Sequence, residues 1–365
     1  MTDNPYFEKE RKVVHFSSGC TTLDLALGGP NGIGWAEGRI CHVYGPESSG
    51  KTQAAEEAAI NFNSTFTDSE VWYIESESAF DESYASVIGL DPATILWPRR
   101  DKKSVKICTN TEKFDYEPAN TAEDIEETIE IALAKSKKTG IHILIIIDSL
   151  DAMTCLVELE GKDAYGAGKA KAMSGLFRRT ASKMSGLTVT IFVVSQTRQN
   201  VGVMFGPKKI VSSGEAMKFY ASQRLELREV KSEAIMETVR GAKYQVGIMV
   251  EATCKKNKVG IPHQSCNFGI RFNYGIDDVG SCLDFIQSID PEYEVLNKIG
   301  LDIFTTPKKG EEDKPLKVSN VKMKKAVSAL SAGEFPELKE KIKEETIRLW
   351  REIEEELKPK GRKYN

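Results

Sequence analysis

Short apolar runs alternate with longer stretches of helical periodicity between about residues 39 and 230. The runs are Arg39–Tyr44, Val71–Ile74, His142–Ile147 and Val189–Val194. Each is apolar at consecutive positions, which is typical of strands covered by helices on both faces of a parallel sheet. The stretches between the runs predict helices at Lys51–Phe62, Ala122–Lys137 and Ala170–Met184. This alternation predicts an α/β fold with right-handed crossovers.

Three later runs have no long helical stretch between them. They are Gln223–Glu229, Gly247–Cys254 and Gln264–Phe272, and we expect them to extend the sheet with antiparallel strands. Near the C-terminus, apolar residues recur at helical spacing within Phe335–Leu357, which predicts an amphipathic helix packed on its own domain. The charged segment Pro307–Lys314 predicts a linker or loop before that helix.

The composition is that of an ordinary globular protein, with 40% apolar and 28% charged residues. No apolar run approaches the roughly 18 to 20 residues of a membrane helix, and the polar N-terminus is unlike a secretory signal. The seven cysteines are scattered, so we expect reduced, buried thiols and a cytoplasmic location. The four histidines lack zinc-ligand spacing. A net charge of −4 leaves nucleic-acid binding open, because a groove needs only local positive charge.

A phosphate-binding loop follows the first apolar run. Its residues are Gly45, Pro46, Glu47, Ser48, Ser49, Gly50, Lys51 and Thr52, in the pattern Gly-x-x-x-x-Gly-Lys-Thr between a strand and a helix. The glycines let backbone N–H groups point at phosphate oxygens, and the helix N-terminus adds its positive dipole. Lys51 supplies a charge for the β- and γ-phosphates, and the Thr52 hydroxyl is a Mg²⁺ ligand. The motif predicts a protein that binds and hydrolyses ATP.

Hydrolysis also needs a carboxylate for the metal and a group that orients or deprotonates water. Asp148 ends an apolar run and is the candidate metal carboxylate. Glu75 and Glu77 end another run, and either could act on the water because strand ends at this edge face the phosphates. Spacing alone does not choose between them. Gln196, at a further strand end, either senses the γ-phosphate or is an ordinary loop amide.

Several blocks of sequence, in the same order, resemble the RecA recombinase family of bacterial and bacteriophage proteins that form filaments on DNA. The likeness covers roughly Val14 to Ile286. Its blocks are the phosphate loop with its filler residues, Glu77–Tyr84, Gln196–Gly206, Gly214–Ser222 and Lys256–Lys258. The resemblance implies a RecA-like P-loop ATPase core with a mostly parallel central sheet, plus a small C-terminal α-rich domain. It also implies ATP and Mg²⁺ as cofactors.

The resemblance assigns roles around the nucleotide. It favours Glu77 over Glu75 as the carboxylate that activates water, alongside Lys51, and gives Gln196 the γ-phosphate sensor role that controls the following loop. Asp81 and Tyr84 would contact the adenine, although a helix cap and a core tyrosine are plausible readings of each alone. Lys256 and Lys258 would reach the ATP of the neighbouring protomer.

The same resemblance indicates two DNA-contacting segments. One is a long, Gly-containing loop, with contacts expected from Arg198, Val201, Gly202, Val203, Met204, Phe205, Gly206 and Gly214. Apolar residues there could wedge between bases, while Arg198 and backbone N–H groups hold phosphates. The other is a helix face formed by Lys171, Ser174 and Arg178, at three- and four-residue spacings. An ordinary solvated face is the alternative for that helix.

Three regions depart from the family pattern. The N-terminal segment, residues 1–13, is short compared with that of bacterial members, which carry a longer N-terminal helix and strand that dock on a neighbouring protomer. Residues 98–120 are an insertion that we interpret as an ordinary surface loop. The C-terminal region, residues 290–365, diverges and ends in basic residues. We divide the chain into these two terminal parts and a RecA-like core at residues 14–289. Bacteriophage recombinases diverge in the same places, which favours a phage or mobile-element origin.

The leading hypothesis is a DNA-dependent ATPase that forms helical filaments on single-stranded DNA and catalyses homologous pairing and strand exchange in recombination and repair. Its expected partners are single- and double-stranded DNA and other copies of itself, with ATP at the protomer interface. A single-strand-binding protein or a loader is a further candidate, and no membrane is expected. The alternatives are a RecA-fold motor or loader without strand exchange and a filament module that binds ATP without turnover, because fold alone does not separate these classes.

Overall fold

The computed structural model describes residues 13–29, 32–77, 80–101, 104–110, 117–161, 168–199, 209–211, 214–290, 327 and 329–359. Its helices are α1 (Thr21–Leu27), α2 (Lys51–Thr65), α3 (Glu82–Ile88), α4 (Ala122–Thr139), α5 (Leu156–Leu159), α6 (Gly168–Lys183), α7 (Gly214–Tyr220), α8 (Asp278–Ile289) and α9 (Pro336–Glu356). Short 3₁₀ turns lie at Pro92–Thr94 and Lys231–Glu233.

The strands of the described residues number β1 to β15. They are β1 (His15–Phe16), β2 (Trp35–Ala36), β3 (Ile40–Gly45), β4 (Ser69–Glu75), β5 (Ile95–Arg100), β6 (Val105–Thr109), β7 (Glu117–Pro118), β8 (His142–Asp148), β9 (Val189–Gln199), β10 (Lys209–Val211), β11 (Gln223–Glu229), β12 (Ile235–Val239), β13 (Ala242–Asn257), β14 (Ser265–Arg271) and β15 (Gly275–Asp277).

One large sheet runs through the described part of the molecule in the order β15-β14-β13-β11-β3-β9-β8-β4-β5-β6. Strands β10, β12 and β7 add to β9, β13 and β5, and β1 pairs with β2 in a separate ribbon. The central neighbours β11, β3, β9, β8, β4 and β5 are parallel. The sequence-based prediction of an α/β fold with a mostly parallel sheet is therefore confirmed.

Two expectations about this sheet were wrong in part. Strand β11 is antiparallel to β13, as predicted, but it is parallel to β3, because helix α7 carries the chain back to the same end of the sheet before β11 begins. Only β13 and β14 continue as the antiparallel extension that we predicted. The described part of the insertion at residues 98–120 also contributes sheet structure, since β5 pairs antiparallel with β6 and β7. Arg100 fixes this extension by ion pairs with Asp124 and Glu127 of α4.

The core lies on both faces of the sheet, as strand β8 illustrates. Leu144 and Ile146 pack into one cluster with α2, whereas Ile143, Ile145 and Ile147 pack into a second cluster with α4 and α6. Successive side chains of a strand point to opposite faces, so a strand covered on both sides is apolar throughout. This explains the uninterrupted apolar run in the sequence and leaves the strand ends to carry polar groups.

Helix α9 is the amphipathic helix predicted near the C-terminus, and it packs on the rest of the chain as expected. Leu338, Ile342 and Leu349 are buried against α8, and Trp350 joins the main core cluster. The segment Pro307–Lys314 lies outside the described residues. All seven cysteines are buried, as predicted. No helix of the described residues has the length and apolar character needed to cross a bilayer.

Candidate nucleotide and DNA site

The phosphate loop joins β3 to α2 in a conformation that requires glycine at both of its ends. Gly50 has a φ of 84°, and a Cβ there would lie 2.3 Å from Cδ1 of Ile270. A Cβ on Gly45 would lie 2.3 Å from the carbonyl oxygen of Leu227. The backbone contact with Leu227 excludes a side chain at position 45, whereas at position 50 the positive φ favours glycine, because the tip of the Ile270 side chain can move. The two glycines let the loop approach its neighbours and curl before the helix begins.

Side chains within the loop hold it closed. The Ser49 hydroxyl and the Lys51 ammonium both donate to the carbonyl oxygen of Pro46, at 2.8 and 2.5 Å. Lys51 is buried, and burial lowers its pKa; nearby carboxylates, first that of Asp148 and then that of Glu77, act in the opposite direction. A buried ammonium has already lost most of its water, so it interacts strongly with an anion brought next to it.

Thr52 and Asp148 meet at the ends of α2 and β8. The Thr52 hydroxyl donates to Oδ2 of Asp148 at 2.8 Å, and the Tyr73 hydroxyl donates to the same oxygen at 3.1 Å. Burial raises the pKa of Asp148, and the charge of Glu77 adds to that effect, while the two hydrogen bonds lower it. A hydroxyl and a carboxylate are hard oxygen donors of the kind that Mg²⁺ prefers.

The Thr52 hydroxyl and the Asp148 carboxylate offer two oxygen donors side by side, which fits a magnesium ion shared with a nucleotide. Within the described residues, no group of three or more His, Cys, Asp or Glu side chains could hold a metal ion. Mg²⁺ usually binds through one or two protein oxygens together with phosphates and waters. Thr52 and Asp148 therefore suit Mg²⁺ bound with ATP rather than a metal held by the protein alone.

Glu77 and Gln196 come together from the ends of β4 and β9. Oε1 of Glu77 accepts hydrogen bonds from the Ser149 hydroxyl and, at 3.2 Å, from the Gln196 side-chain amide. Glu75 instead accepts the backbone N–H of Glu77 at 2.9 Å. The neighbouring carboxylate thus orients the Glu77 backbone, and the Glu77 carboxylate lies within the cluster formed with Lys51 and Asp148.

Asp81 and Tyr84 lie at the start of α3, beside the phosphate-loop helix. The Asp81 carboxylate caps α3 by accepting the backbone N–H groups of Ser83 and Tyr84, at 2.9 and 3.0 Å. The Tyr84 hydroxyl donates to Oε1 of Gln53 in α2 at 2.5 Å. The capping role considered for Asp81 is therefore present, and contact of either residue with adenine stays a prediction.

Lys256 and Lys258 lie at the C-terminal end of β13, one in the strand and one just after it. The Lys256 ammonium donates to the carbonyl oxygens of Lys218 and Phe219 at 2.6 and 2.9 Å, at the end of α7. Burial, the charge of Lys258 and the charge of Arg224 lower the pKa of Lys256 to about 8. The described face near the end of β13 is thus strongly basic, and Phe219, whose carbonyl oxygen Lys256 contacts, has an exposed side chain.

Helix α6 carries the predicted basic face. Lys171, Ser174 and Arg178 are exposed, while Met173 and Phe177 on the opposite side are buried in the core. Arg179, also exposed, is instead held by Glu126 of α4 through hydrogen bonds of 2.6 and 2.7 Å. The structure therefore brings the three predicted residues to one accessible surface, and their contact with DNA stays a prediction.

The long loop after Gln196 is described only at its two ends. Thr197, Arg198 and Gln199 pair antiparallel with β10, and Gly214 begins helix α7. Most of the predicted loop contacts lie outside the described residues, namely Val201, Gly202, Val203, Met204, Phe205 and Gly206. The described backbone places the start of the loop at the C-terminal end of β9, the strand that also carries Gln196.

Comparison with known proteins identifies the lineage of this site. The family model described as the RecA N-terminal domain matches residues 6–110 and 110–277. Protein RecA of Picosynechococcus sp. is 31% identical over 280 residues, which are 76% of this chain and 71% of that protein. Protein RecA of Clostridium beijerinckii is 32% identical over 287 residues, or 78% and 69% of the two chains. The chain belongs to the RecA family. It is a RecA-type recombinase with DNA-dependent ATP hydrolase activity.

In this RecA-family protein Lys51, Thr52, Asp148, Glu77 and Gln196 come together, whereas Lys256 and Lys258 lie at the end of β13. The structure adds three residues that sequence reasoning did not single out. Tyr73 donates to Asp148, Ser149 holds Glu77, and Asp151 accepts the backbone N–H of Gln196 at 2.5 Å. Ser149 directly follows Asp148, the candidate metal carboxylate, and Asp151 lies three positions after it, so their position at a strand end was a usable signal. Tyr73 lies inside an apolar strand and gave none.

Proposed function

We propose that this RecA-family protein polymerises on single-stranded DNA with ATP and Mg²⁺, pairs it with homologous duplex DNA and exchanges strands. The observation that carries the proposal is the convergence of Lys51, Thr52, Asp148, Glu77 and Gln196 at one edge of the sheet. That edge also gives rise to both segments expected to contact DNA. Hydrolysis of ATP would release the DNA and allow turnover.

In the proposed reaction, Glu77 orients the attacking water and accepts its proton. Ser149 and Gln196 donate to one carboxylate oxygen of Glu77, which restricts the rotation of the side chain. Such positioning lowers the barrier because the water and the base are already aligned. Mg²⁺ bound through Thr52, with Asp148 reached through its water shell, would neutralise charge on the β- and γ-phosphates. Asp81 and Tyr84 are proposed to bind the adenine side of the nucleotide.

The second half of the ATP site is proposed to come from a neighbouring copy of the chain. Lys256 and Lys258 form a concentrated positive charge, and after burial the repulsion from Lys258 and Arg224 is the further cause that lowers the pKa of Lys256. Binding to a triphosphate would relieve that repulsion, since opposite charge stabilises both ammonium groups. ATP would then hold adjacent protomers together in a filament, and hydrolysis would weaken the contact.

DNA contact is proposed for the exposed face of α6 and for the loop beginning at Arg198. Lys171 and Arg178 can neutralise phosphates, while the apolar residues of the loop suit stacking against bases. Base pairing itself would then provide sequence recognition, so the protein needs no base-specific hydrogen bonds. A single-strand-binding protein or loader stays a candidate partner. The family match ends at residue 277, and the hypothesis of a bacteriophage origin concerns the divergent terminal regions.

Two assays on the wild-type chain test this function. ATP hydrolysis is measured with and without single-stranded DNA, and strand exchange is measured between a single strand and a homologous labelled duplex. We expect DNA to stimulate hydrolysis and labelled strand to be displaced only with homologous substrate. A rate of ATP hydrolysis that is the same with and without single-stranded DNA would contradict the proposal. Stimulation without strand exchange would instead favour the alternative, a RecA-fold motor or loader.

A further inference from the structure

The turn that follows strand β8 contacts several parts of the nucleotide site at once. The backbone N–H of Leu150 donates to Val194 in β9 at 2.9 Å, which fixes the turn against the neighbouring strand. The Ser149 hydroxyl donates to Glu77. Ser76 and Ser149 also exchange hydrogen bonds of 2.8 and 3.0 Å. This turn therefore holds the water-activating carboxylate through its first residue.

Asp151, two residues further along, contacts the beginnings of both DNA-contacting segments. Its Oδ2 accepts the backbone N–H of Gln196 at 2.5 Å, just before the loop that begins at Arg198. Its own carbonyl oxygen accepts the Lys169 ammonium at 2.6 Å, at the start of α6. One residue thus joins the strand that leads into one segment to the helix that forms the other.

The charge of Asp151 also reaches the phosphate loop. It raises the pKa of Lys51, in the direction opposite to the effect of burial. A hydrogen bond that a carboxylate accepts is stronger than one that a neutral oxygen accepts, so the backbone at Gln196 is held firmly. Gln196 donates through its side chain to Glu77 while its backbone is held by Asp151.

We propose that Asp151 is a positioning residue that couples the nucleotide site to both DNA-contacting segments. A change of position at Gln196, when the γ-phosphate is bound or lost, is transmitted through Asp151 to Lys169 and α6 as well as along β9. The inference rests on the proposed function. Because coupling is reciprocal, DNA should tighten nucleotide binding by the same factor by which nucleotide tightens DNA binding, and Asp151 should set that factor.

The test measures this factor directly in the full chain. A fluorescent, slowly hydrolysed ATP analogue is titrated with and without oligo(dT), and labelled oligo(dT) is titrated with and without the analogue. Asp151→Ala should reduce the coupling factor on the order of tenfold in both directions. Asp151→Asn keeps an oxygen that can accept from Gln196, so it should retain more coupling than the alanine variant. Lys169→Met breaks the second contact and should also reduce the factor.

The controls separate coupling from folding. Asp91 has a similar carboxylate, which accepts the backbone N–H of Ala93 at 2.9 Å and lies outside the nucleotide cluster. Asp91→Ala should therefore leave the coupling factor unchanged. Wild-type coupling in Asp151→Ala would overturn the inference. So would a loss of thermal stability and of DNA-free analogue affinity in the alanine and asparagine variants alike, since that result marks a purely structural role. If the wild-type chain shows no coupling, both the inference and the proposed function are overturned. If the wild-type chain shows coupling and the Asp151 and Lys169 variants retain it in full, the inference alone is overturned.

Discussion

Lys51 is buried in one region of the molecule and Lys256 is half-buried in another, and the charges around the two lysines have opposite signs. Burial lowers the pKa of both Lys51 in the phosphate loop and Lys256 at the end of β13. Carboxylates surround Lys51 and act against that shift, whereas Lys258 and Arg224 add to it at Lys256. The nucleotide edge is therefore rich in negative charge, and the β13 end is rich in positive charge.

Because the two charges are separated, one protomer alone is an incomplete site for a triphosphate in the proposed filament. Asp148 and Glu77, the carboxylates proposed to act on the metal ion and on the attacking water, both lie near Lys51 of the phosphate loop. The β13 end holds cations whose repulsion an anion would relieve. Opposite potentials on two surfaces of one chain favour head-to-tail association of copies, which is the geometry that produces a helical filament.

The largest effect is expected at the water-activating carboxylate. Glu77→Gln keeps the hydrogen-bonding shape but removes the base, so the rate of ATP hydrolysis should fall about 10²- to 10⁴-fold. Binding of a slowly hydrolysed ATP analogue should persist. Glu75→Gln is the matched control, since it retains an oxygen that can accept the Glu77 N–H. Loss of hydrolysis in the Glu75 variant with full activity in the Glu77 variant would reverse the assignment.

The next effect concerns the lysine of the acidic region. Lys51→Ala removes the ammonium and its hydrogen bond to Pro46, and should weaken ATP-analogue binding by about 3 kcal/mol, roughly a hundredfold. Isothermal titration calorimetry measures this directly. Lys135→Ala is the control, because Lys135 pairs with Glu70 on the outside of the sheet. An unchanged affinity in Lys51→Ala would remove the phosphate-loop assignment.

The parallel centre and the phosphate loop could be predicted from sequence because both depend on local pattern. A fully covered strand such as β8 must be apolar at each position, and a loop that needs glycine at two fixed places leaves a clear motif. The edge strands β5, β6 and β7 could not be predicted in this way. Their Pro98, Arg99 and Arg100 look like loop residues, and strand structure there depends on partners, including the carboxylates of α4.

The same limit applies within the candidate site. Lys51, Thr52, Asp148 and Gln196 were found because each ends a recognisable strand or motif. The choice of Glu77 over Glu75 needed the family resemblance, and the geometry now gives the two carboxylates different hydrogen-bond partners. The contact between Asp151 and Gln196 joins positions 45 residues apart, and sequence spacing contains no information about it.

A third prediction tests how acidic the nucleotide edge is. Glu56 in α2 is buried near Asp148 and Glu57, and burial followed by those charges raises its pKa to about 8. Its ordinary pKa is 4.5, so above that pH the unfolded chain releases a proton that the folded chain keeps. The folded state then binds more protons, and its stability must fall as pH rises from about 4.5 to about 8.

Glu56→Gln should remove this part of the pH dependence. Relative to wild type, the variant should gain unfolding free energy on the order of 3 kcal/mol between pH 5 and pH 8. Urea denaturation at several pH values measures the difference. Glu344→Gln, exposed on α9, should show no such gain. A constant difference between Glu56→Gln and wild type across this range would show that the carboxyl is not perturbed.

The smallest effect is expected at the basic end of β13, where the variants remove the positive charges themselves. The double variant Lys256→Ala with Lys258→Ala removes the charges proposed to reach a neighbouring ATP, so DNA-stimulated hydrolysis should fall about tenfold, as for one lost contact worth about 1.4 kcal/mol. Monomer stability and ATP-analogue binding without DNA should change little. Lys255→Ala is the control, because that lysine lies on the same strand but pairs with Glu226 at 3.3 Å.

A second experiment mixes the double variant with Lys51→Ala protein. Each chain then lacks one half of the proposed composite site, but a junction that joins Lys51 of one chain to Lys256 of the other is intact. Partial recovery of hydrolysis in the mixture requires a site shared between protomers, whereas full activity of the double variant alone would show that these lysines do not contribute to it.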